Sequence, residues 1–348
     1  MIRTEPFDPD TASPDAWAAF HAFRRARAME DDPGEPILPD ADFEHGTRKR
    51  WPFWKSSRIL AVQDGTILGS VALSVRREGT DDYAAFAPFV TAWGGVLRSE
   101  RRQGVGTALL RPLLAFMQDH GKTTATLYGR TPDSQAFLAA IGATRKHLEV
   151  ENRLPFSGLD WTGLARWEAA APPTLRWEVH AGRVPMTRLE ALVPAFTTLV
   201  RDVPTGSLDM PPNRFDLRGY ATWYEEADRT GGEHFLVMLL DGDEVAGMCE
   251  AEWDSRFPDR THQDLTAVAR PWRGHGLAKA LKAQMLRLVR ERKPGVTLMT
   301  TNNAASNAPM LSINARLGFV RHKEVGTYQV GPAALQAWLV SRTPRRDG

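Results

Sequence analysis

The chain has 348 residues, 42% hydrophobic and 25% charged, which is enough apolar material for two ordinary globular cores. Its 44 Lys and Arg stand against 42 Asp and Glu, a net +2 that carries no sign of the dominant electrostatic footprint of a nucleic-acid binder, so no DNA partner is expected. The single cysteine, Cys249, excludes an internal disulfide and a cysteine-based zinc site, and apolar runs such as 235–240 are too short to span a bilayer.

In chain order, residues 14–30 carry a helical pattern, and strand-like runs follow at 58–62 and 67–75 with Asp64-Gly65 as a hairpin turn between them. A further strand leads to Val96, then a turn from Arg101 to Gly106, then a helix with Val105, Leu109, Leu113 and Met117 on one face. Pro112 inside this helix predicts a kink or a lost hydrogen bond. A strand over 123–128 and a short helix ending at Gly142 complete the first half. The second half repeats this order. It has a helix over 188–202, strands over 235–240 and 244–253 around Asp241-Gly242, and a strand ending at Val268. A turn through Arg273, Gly274 and Gly276 then opens a helix with Leu277, Leu281, Met285 and Leu288 on one face, followed by a strand over 295–300 and a helix ending at Gly318. Cys249 alternates with polar neighbours in a strand-like run and reads as a small buried hydrophobe.

Arg101 and Arg273 are 172 positions apart, close to the half-length of 174, and Asp31-Asp32-Pro33-Gly34 is echoed by Asp202-Val203-Pro204-Thr205-Gly206. A duplicated domain gives such an offset. The Ala-Pro stretch at 169–173 marks the expected boundary, with domains at 1–170 and 171–348. Hairpins followed by strand, turn, helix and strand predict an α/β (α+β) fold, a mixed sheet with helices on both faces.

The first turn of a helix has amide donors without partners inside the helix, and the positive end of the helix dipole lies there as well. Gly274 and Gly276 let a ligand approach that backbone closely, and Arg273 adds positive charge. A pyrophosphate suits such a row of amides. A plain strand–loop–helix connection is the alternative for one such turn, but two matched copies favour binding. A dinucleotide fingerprint would need a small residue where Leu109 and Lys279 stand.

Arg101-x-x-Gly104-x-Gly106 and Arg273-x-x-Gly276-x-Ala278 resemble the coenzyme-A-binding motif of the GNAT N-acetyltransferase superfamily, and the resemblance covers nearly the whole chain. Asn307 and the segment Ile313-Asn314-Ala315-Arg316-Leu317-Gly318-Phe319 are similar to a later segment of that family. The resemblance implies two tandem GNAT-like domains, each a mixed, mostly antiparallel sheet flanked by helices, with acetyl-CoA as co-substrate and no metal. It places Val268 and Ala269 along the pantetheine arm, Arg273, Gly274, His275, Gly276, Leu277 and Ala278 around the pyrophosphate, and Asn302 and Asn307 in the same coenzyme site. Asn307 reads equally as a helix N-cap. Val96, Arg101, Gly104, Val105 and Gly106 are the counterparts in the first half. The family often carries a tyrosine four residues before the last glycine, as acid for the leaving thiolate; here Asn314 and Leu138 occupy those positions. The first half also lacks the asparagine and the Gly-Phe pair. The second half is therefore the expected catalytic one, and the first binds coenzyme without turnover, binds nothing, or serves as scaffold.

Acetyl transfer to an amine needs that amine neutral, so a carboxylate base helps. Glu250 and Glu252 share one strand face with Met248, Asp264 lies on the strand leading to Val268, and Tyr328 on the final strand is a substitute acid. Each has a bland alternative, a solvated carboxylate or a core aromatic, and His262 reads more readily as a loop residue. Asp202, Asp209, Trp223, Tyr224, Glu225 and Glu226 are candidates to line an acceptor pocket. The expected partner is a small-molecule amine, a metabolite or antibiotic, met by a cytoplasmic monomer or homodimer. Two other readings stand beside it, a non-catalytic coenzyme-A-binding sensor or scaffold, and an acyltransferase acting on aminoacyl-tRNA or a protein. The acyl chain length is open.

Overall fold

The computed structural model describes residues 1–212 and 214–342. Its elements in order are β1 (Arg3–Phe7), α1 (Pro14–Asp31), α2 (Asp40–Arg48), β2 (Trp54–Gln63), β3 (Thr66–Arg76), α3 (Tyr83–Phe86), β4 (Phe89–Val96), α4 (Val105–Asp119), β5 (Thr124–Gly129), α5 (Pro132–Ala140), β6 (Thr144–Pro155) and α6 (Trp161–Ala169). Then come β7 (Arg176–Ala181), α7 (Met186–Arg201), α8 (Leu217–Thr230), β8 (Glu233–Asp241), β9 (Glu244–Trp253), β10 (Arg260–Val268), α9 (Leu277–Arg292), β11 (Leu298–Ala304), α10 (Ala308–Leu317), β12 (Val320–Val330) and α11 (Pro332–Ser341). Local chemistry fixes many of these bounds. Ser13 caps α1 by accepting from the Ala16 amide at 3.2 Å, with Pro14 next to it. Asp64 and Gly65 turn β2 into β3 at φ 51° and 80°, the doubly positive pair that a tight hairpin requires. Helix α4 runs through Pro112 without ending.

Two compact units result. Of the described residues, the first holds 1–147, 207–211 and 325–342; the second holds 148–206, 212 and 214–324. In the first, β1, β2, β3 and β4 pair antiparallel in sequence order, and β4 pairs parallel with β5. Residues 326–330 of β12 close that sheet antiparallel to β5, with Gly326 opposite Gly129 and Val330 opposite Ala125. In the second, β7, β8, β9 and β10 pair antiparallel, β10 pairs parallel with β11, and β6 closes the sheet from Glu149 to Pro155 against β11. The closing strands are thus exchanged. The late strand β12 completes the early unit, and β6, directly after the early elements, completes the late one. Residues 169–173 form the connection between α6 and β7, inside the second unit.

Each sheet is covered on both faces. In the second unit, Leu277, Leu281, Met285 and Leu288 of α9 pack with Phe235, Val237, Leu239, Cys249 and Ala251 on one face. On the other, Leu189, Leu192 and Phe196 of α7 and Tyr224 of α8 cover Leu236, Met238 and Met248. In the first unit, Leu110, Leu113 and Met117 of α4 join Tyr328, Val330, Leu335 and Leu339 on one face, and Trp17, Phe20 and Phe23 of α1 cover Leu60 and Val62 on the other. Among the described residues, no helix is long and apolar enough to cross a membrane.

Candidate active site

Strands β10 and β11 stay paired only from Arg260 opposite Leu298 to Gln263 opposite Thr301. Beyond that point residues 266–268 continue along β9 and residues 302–304 along β6, so the two parallel strands part. Parting strands leave backbone donors and acceptors that need partners from outside the ladder. A register shift between Gln263 and Thr266 puts one extra residue into β10 at the fork. Such a bulge bends the strand and re-aims its side chains, here at Asp264.

Beyond Val268 the chain makes a short 3-10 turn over Arg270–Trp272 and enters α9 through Gly274 and Gly276, at φ 83° and 80°. Gly276 is the N-cap and no side chain caps this helix. A Cβ added at either glycine meets nothing within 4 Å. The space beside both glycines is therefore open, and with the unpartnered amides of a helix's first turn it makes a cradle that fits a pyrophosphate. Arg273 is not aimed into that cradle. Its Nε donates to the Val268 carbonyl at 3.0 Å and its Nη2 to Asp202 at 2.6 Å. Arg270 binds the same carboxylate at 2.7 Å. The Ala269 amide donates to Ala246 at 2.9 Å. The end of α7 is thus tied to the turn, and the anion-binding capacity rests on main-chain amides.

The Arg270 and Arg273 guanidiniums hold the Asp202 carboxyl down at about 2, below its ordinary value near 3.9. A depressed carboxylate contributes stability that is whole above about pH 4 and is lost as pH falls toward 2. Asp202→Asn should therefore lower Tm at neutral pH, and the gap to the wild type should close between about pH 4 and pH 2 in thermal melts. A gap that stays constant across that window would show that the tether carries no linked stability.

Around the fork, on the α7 and α8 side, stand three carboxylates. Glu250 is buried, accepts from Tyr220 Oη at 2.7 Å, and lies 3.3 Å from His234 Nε2. His234 Nδ1 is 3.0 Å from Tyr224 Oη, which accepts from the Val184 amide at 3.0 Å. Glu252 accepts from Trp223 Nε1 at 3.1 Å. Asp264 lies 3.6 Å from His262 Nε2, and the other nitrogen of that ring is 2.8 Å from Thr300 Oγ1. Among the described residues, none of the three carboxylates pairs with a lysine or arginine. Asp264 keeps 46% of its side-chain surface open, yet the surrounding protein, and then the charges of Glu252 and Glu250, push its pKa well above the carboxylate range. Desolvation lowers the pKa of His262, against the pull of Glu252, Glu151 and Glu149. Desolvation and Glu250 raise that of Tyr220.

The model of the Acetyltransferase (GNAT) family matches residues 21–142 and again 202–319, more than half of the chain. The chain belongs to the GNAT family. Among solved structures it is similar to a tandem GNAT protein from the clavulanic acid biosynthesis pathway, at 21% identity and TM-score 0.73, covering 95% of this chain and 99% of that one. It is also similar to a GCN5-related N-acetyltransferase from Sphaerobacter thermophilus, at 17% identity and TM-score 0.65, covering 95% and 96%. A third is the glucosamine N-acetyltransferase region of a fungal multi-domain GH3 β-N-acetylglucosaminidase, at 14% identity and TM-score 0.64, covering 95% and 38%. No curated protein sequence matches the chain.

The two GNAT units can be compared by register. In the first, β4 and β5 also part, after Ala92 opposite Leu127, so Ala92 corresponds to Gln263. From there Val96 is four residues on and Val268 five, so the first unit has no bulge at its fork. Opposite Ala92 and Gln263 stand Leu73 and Ala251, which equates Ala72 with Glu250, Ser74 with Glu252 and Trp93 with Asp264. The first unit thus carries none of the three carboxylates. Its turn keeps the same form, with Arg102 at φ 64° in the place of Gly274 and Gly104 as the N-cap at φ 89°. Arg101 repeats the tether, reaching Val96 and Asp31, both at 3.4 Å, and Asp133 at 3.1 Å. A Cβ on Gly104 would meet nothing within 4 Å, as at Gly276, while one on Gly106 would lie 3.2 Å from Phe137.

Of the sequence candidates, Glu250, Glu252, Asp264, His262, Trp223 and Tyr224 come together. Asn302 is the first residue past the last β10–β11 pair, and Asn307 caps α10 by accepting from the Met310 amide at 3.3 Å. Tyr328 is buried in the core of the first unit, and Asp209 donates its amide to Gln329 there, so neither belongs to this cluster. Glu225 is exposed and Glu226 pairs with Arg229. Sequence reasoning missed Tyr220 and His234. Counting back from the Asp241-Gly242 hairpin would have found His234, which faces Glu252 across β8 and β9. A recess of about 430 Å³ between α1 and α2 includes His21, Asp40, Glu44 and Arg48 in its walls. Its charges answer one another, Arg25 to Asp40 and Arg48 to Glu44, and His21 lies 3.0 Å from Glu44.

Proposed function

We propose that the second GNAT unit transfers an acetyl group from acetyl-CoA to a primary amine on a small, multiply cationic acceptor, with the first unit as scaffold. The observation that carries this reading is the trio Glu250, Glu252 and Asp264, uncompensated by lysine or arginine at the fork and absent from the same register of the first unit. The amides of residues 276–278 and the glycine cradle would hold the pyrophosphate, and Asn302 and Asn307 would line the coenzyme beyond the fork. When bound, acetyl-CoA would supply the activated acetyl group, its thioester C–S bond breaking as the amide C–N bond forms and the coenzyme leaving as the thiolate.

Asp264, re-aimed by the bulge and still open to solvent, takes the proton from the acceptor ammonium. Glu250 is fixed by Tyr220 and His234, and Glu252 by Trp223, so both act as stationary negative charge that draws and orients cations. The fold is shared with a region named for glucosamine, a sugar amine, which accords with a cationic acceptor.

Acetyl-transfer rates over a panel of neutral aromatic amines, monoamines and polyamines, each across a pH series, test this reading. Polyamines should give the highest kcat/KM. Because Asp264 must be ionised to act and its pKa is raised, the rate should climb with pH through that raised value. Removing the largest charge acting on it, by Glu252→Gln, should move the climb to lower pH. Equal use of neutral amines, or a limb unmoved by Glu252→Gln, would refute the assignment. Coenzyme binding without any transfer would favour the sensor reading instead.

A further inference from the structure

The bulge in β10 is held by polar side chains set into an otherwise apolar core. Gln263, the last residue paired with β11, points toward α9, and Asp264 points the other way, among the carboxylates. Leu265 packs with Ala267 on the α7 side, whereas Thr266 meets Cys249, which lies in the core under α9. Two successive residues, Asp264 and Leu265, therefore face the same side, and every residue after them is displaced by one from plain alternation. Without the extra residue, Thr266 and Val268 would turn to the α7 side and Leu265 and Ala267 to the α9 side. Both ends of the bulge touch one sulfur. Gln263 Nε2 donates to Cys249 Sγ at 3.2 Å, and Thr266 Oγ1 lies 3.2 Å from the same atom. Lys282 of α9 completes the cluster by donating through Nζ to Gln263 Oε1, with its ammonium 5.3 Å from the centre of the Phe319 ring. Cys249, Gln263 and Lys282 are all buried.

The first unit shows what the same positions hold where there is no bulge. Ala92 corresponds to Gln263. Val71 corresponds to Cys249, and their partners across the ladder are Gly94 and Thr266. Leu110 follows the N-cap Gly104 at the same spacing as Lys282 follows the N-cap Gly276. Ala92, Val71, Gly94 and Leu110 offer no side-chain hydrogen bond, and β4 passes its fork without a register shift. Burying an amide and an ammonium is costly unless both are hydrogen-bonded. Burial pushes the pKa of Lys282 down to about 8 and that of the Cys249 thiol up to about 11, which leaves the lysine mostly protonated, as a donor, at neutral pH. An apolar set fills this core in the first unit, so what the polar set adds is the bulge that it accompanies.

We infer that Lys282, Gln263, Cys249 and Thr266 are positioning residues, a clamp that fixes the bulge of β10 and, through it, the place of Asp264 in the acidic site. Gln263 and Thr266 are the ladder residues on either side of the slip, so tying both to Cys249 of β9 sets where the slip occurs. Lys282 ties the same point to α9, about 9 Å along the helix from the cradle at Gly276. The helix that offers its first-turn amides to the coenzyme thus also holds the strand that carries the base. The catalytic meaning of the clamp rests on Asp264 as the base, whereas its effect on the surroundings of Asp264 does not.

The test removes both members of the Lys282–Gln263 contact at once in the full-length protein. Lys282→Met with Gln263→Leu keeps the volume and orphans neither partner, so Tm should stay at or above the wild-type value. The titration of the Asp264 carboxyl, followed by carbon NMR without coenzyme or acceptor, should move down toward the ordinary value of about 3.9, because a slack bulge lets solvent reach it. Loss of the Lys282 charge alone would move that titration up, so its direction separates position from electrostatics. Glu250 and Glu252 of β9, His262 of β10 and Tyr220 of α8 are the titratable groups that act on Asp264 or lie against it, and the variant alters none of them. In acetyl transfer, kcat should fall roughly tenfold or more, with its pH limb moved downward and acetyl-CoA affinity changed less than kcat. Thr266→Val, which removes only the hydroxyl at the far end of the bulge, should move the titration the same way by a smaller amount, and it decides the outcome if the double variant does not fold. The inference is overturned if the Asp264 titration stays in place or rises in these variants, whatever happens to Tm. A wild type that transfers no acetyl group would remove the base assignment and leave the titration to decide the clamp.

Discussion

Gly276→Glu should abolish acetyl-CoA binding, with affinity falling on the order of a thousandfold in calorimetric titration, as expected where like charges meet at several kcal/mol. Two effects combine. Gly276 sits at φ 80°, where an L side chain costs roughly 1–2 kcal/mol. The new carboxylate would also lie at the positive end of α9, over amides that no side chain caps, as a tethered competitor for the pyrophosphate. Gly276→Ala separates the two, since it brings the strain without the charge and should cost about tenfold or less. The helix itself should tolerate the glutamate, because negative charge at an N-terminus stabilises it. Gly104→Glu, the same change at the N-cap of α4, should leave both affinity and a stoichiometry of one unchanged if the first unit takes no coenzyme. Wild-type affinity in Gly276→Glu would sink the phosphate-cradle argument. A second equivalent of coenzyme lost in Gly104→Glu would give the first unit a coenzyme site of its own.

Much of this was legible in the sequence because it is local. The strand, glycine turn and amphipathic helix are written within one continuous stretch each time, 89–119 and 260–292, and the offset between Arg101 and Arg273 exposes the duplication. The echo of Asp31 by Asp202 also had a physical basis, since both carboxylates tie the end of a helix to the turn. What that echo concealed was the job of the arginine. A charge beside a phosphate-shaped turn reads as a ligand until its partner, some seventy residues upstream, is seen to occupy it. The extra residue in β10 was equally hidden, because it exists only relative to the register of β9. Tyr220 acts through a hydrogen bond to Glu250 and His234 through a 3.3 Å contact with it, neither of which any periodicity encodes. Tyr328 shows the limit most plainly. It lies on the last strand, after every second-unit element, yet its register with Leu127 puts it in the core of the first unit.

That exchange of strands predicts that a chain ending at Glu324 loses the fold of its beginning rather than of its end. The deletion strips Gly326 to Val330 from β5 and removes Tyr328, Val330, Leu335 and Leu339 from the core built on α4. At roughly 1.5–3 kcal/mol for each buried side chain, the loss is about 6–12 kcal/mol, comparable with the whole stability of a domain. The second unit keeps its closing strand, because residues 149–155 of β6 remain to pair with β11. Hydrogen exchange on the truncated protein should show β2 to β5 and α4 losing protection while β8 to β11 and α9 retain it. The reciprocal cut, a chain beginning at residue 171, lacks β6 and with it Leu154 of the second core, so the unit that carries the acidic trio should then be the one to open. Protection of β5 and α4 surviving the first cut would mean that the first unit closes its sheet without β12. Its stability would then have to come from residues 1–147 and 207–211.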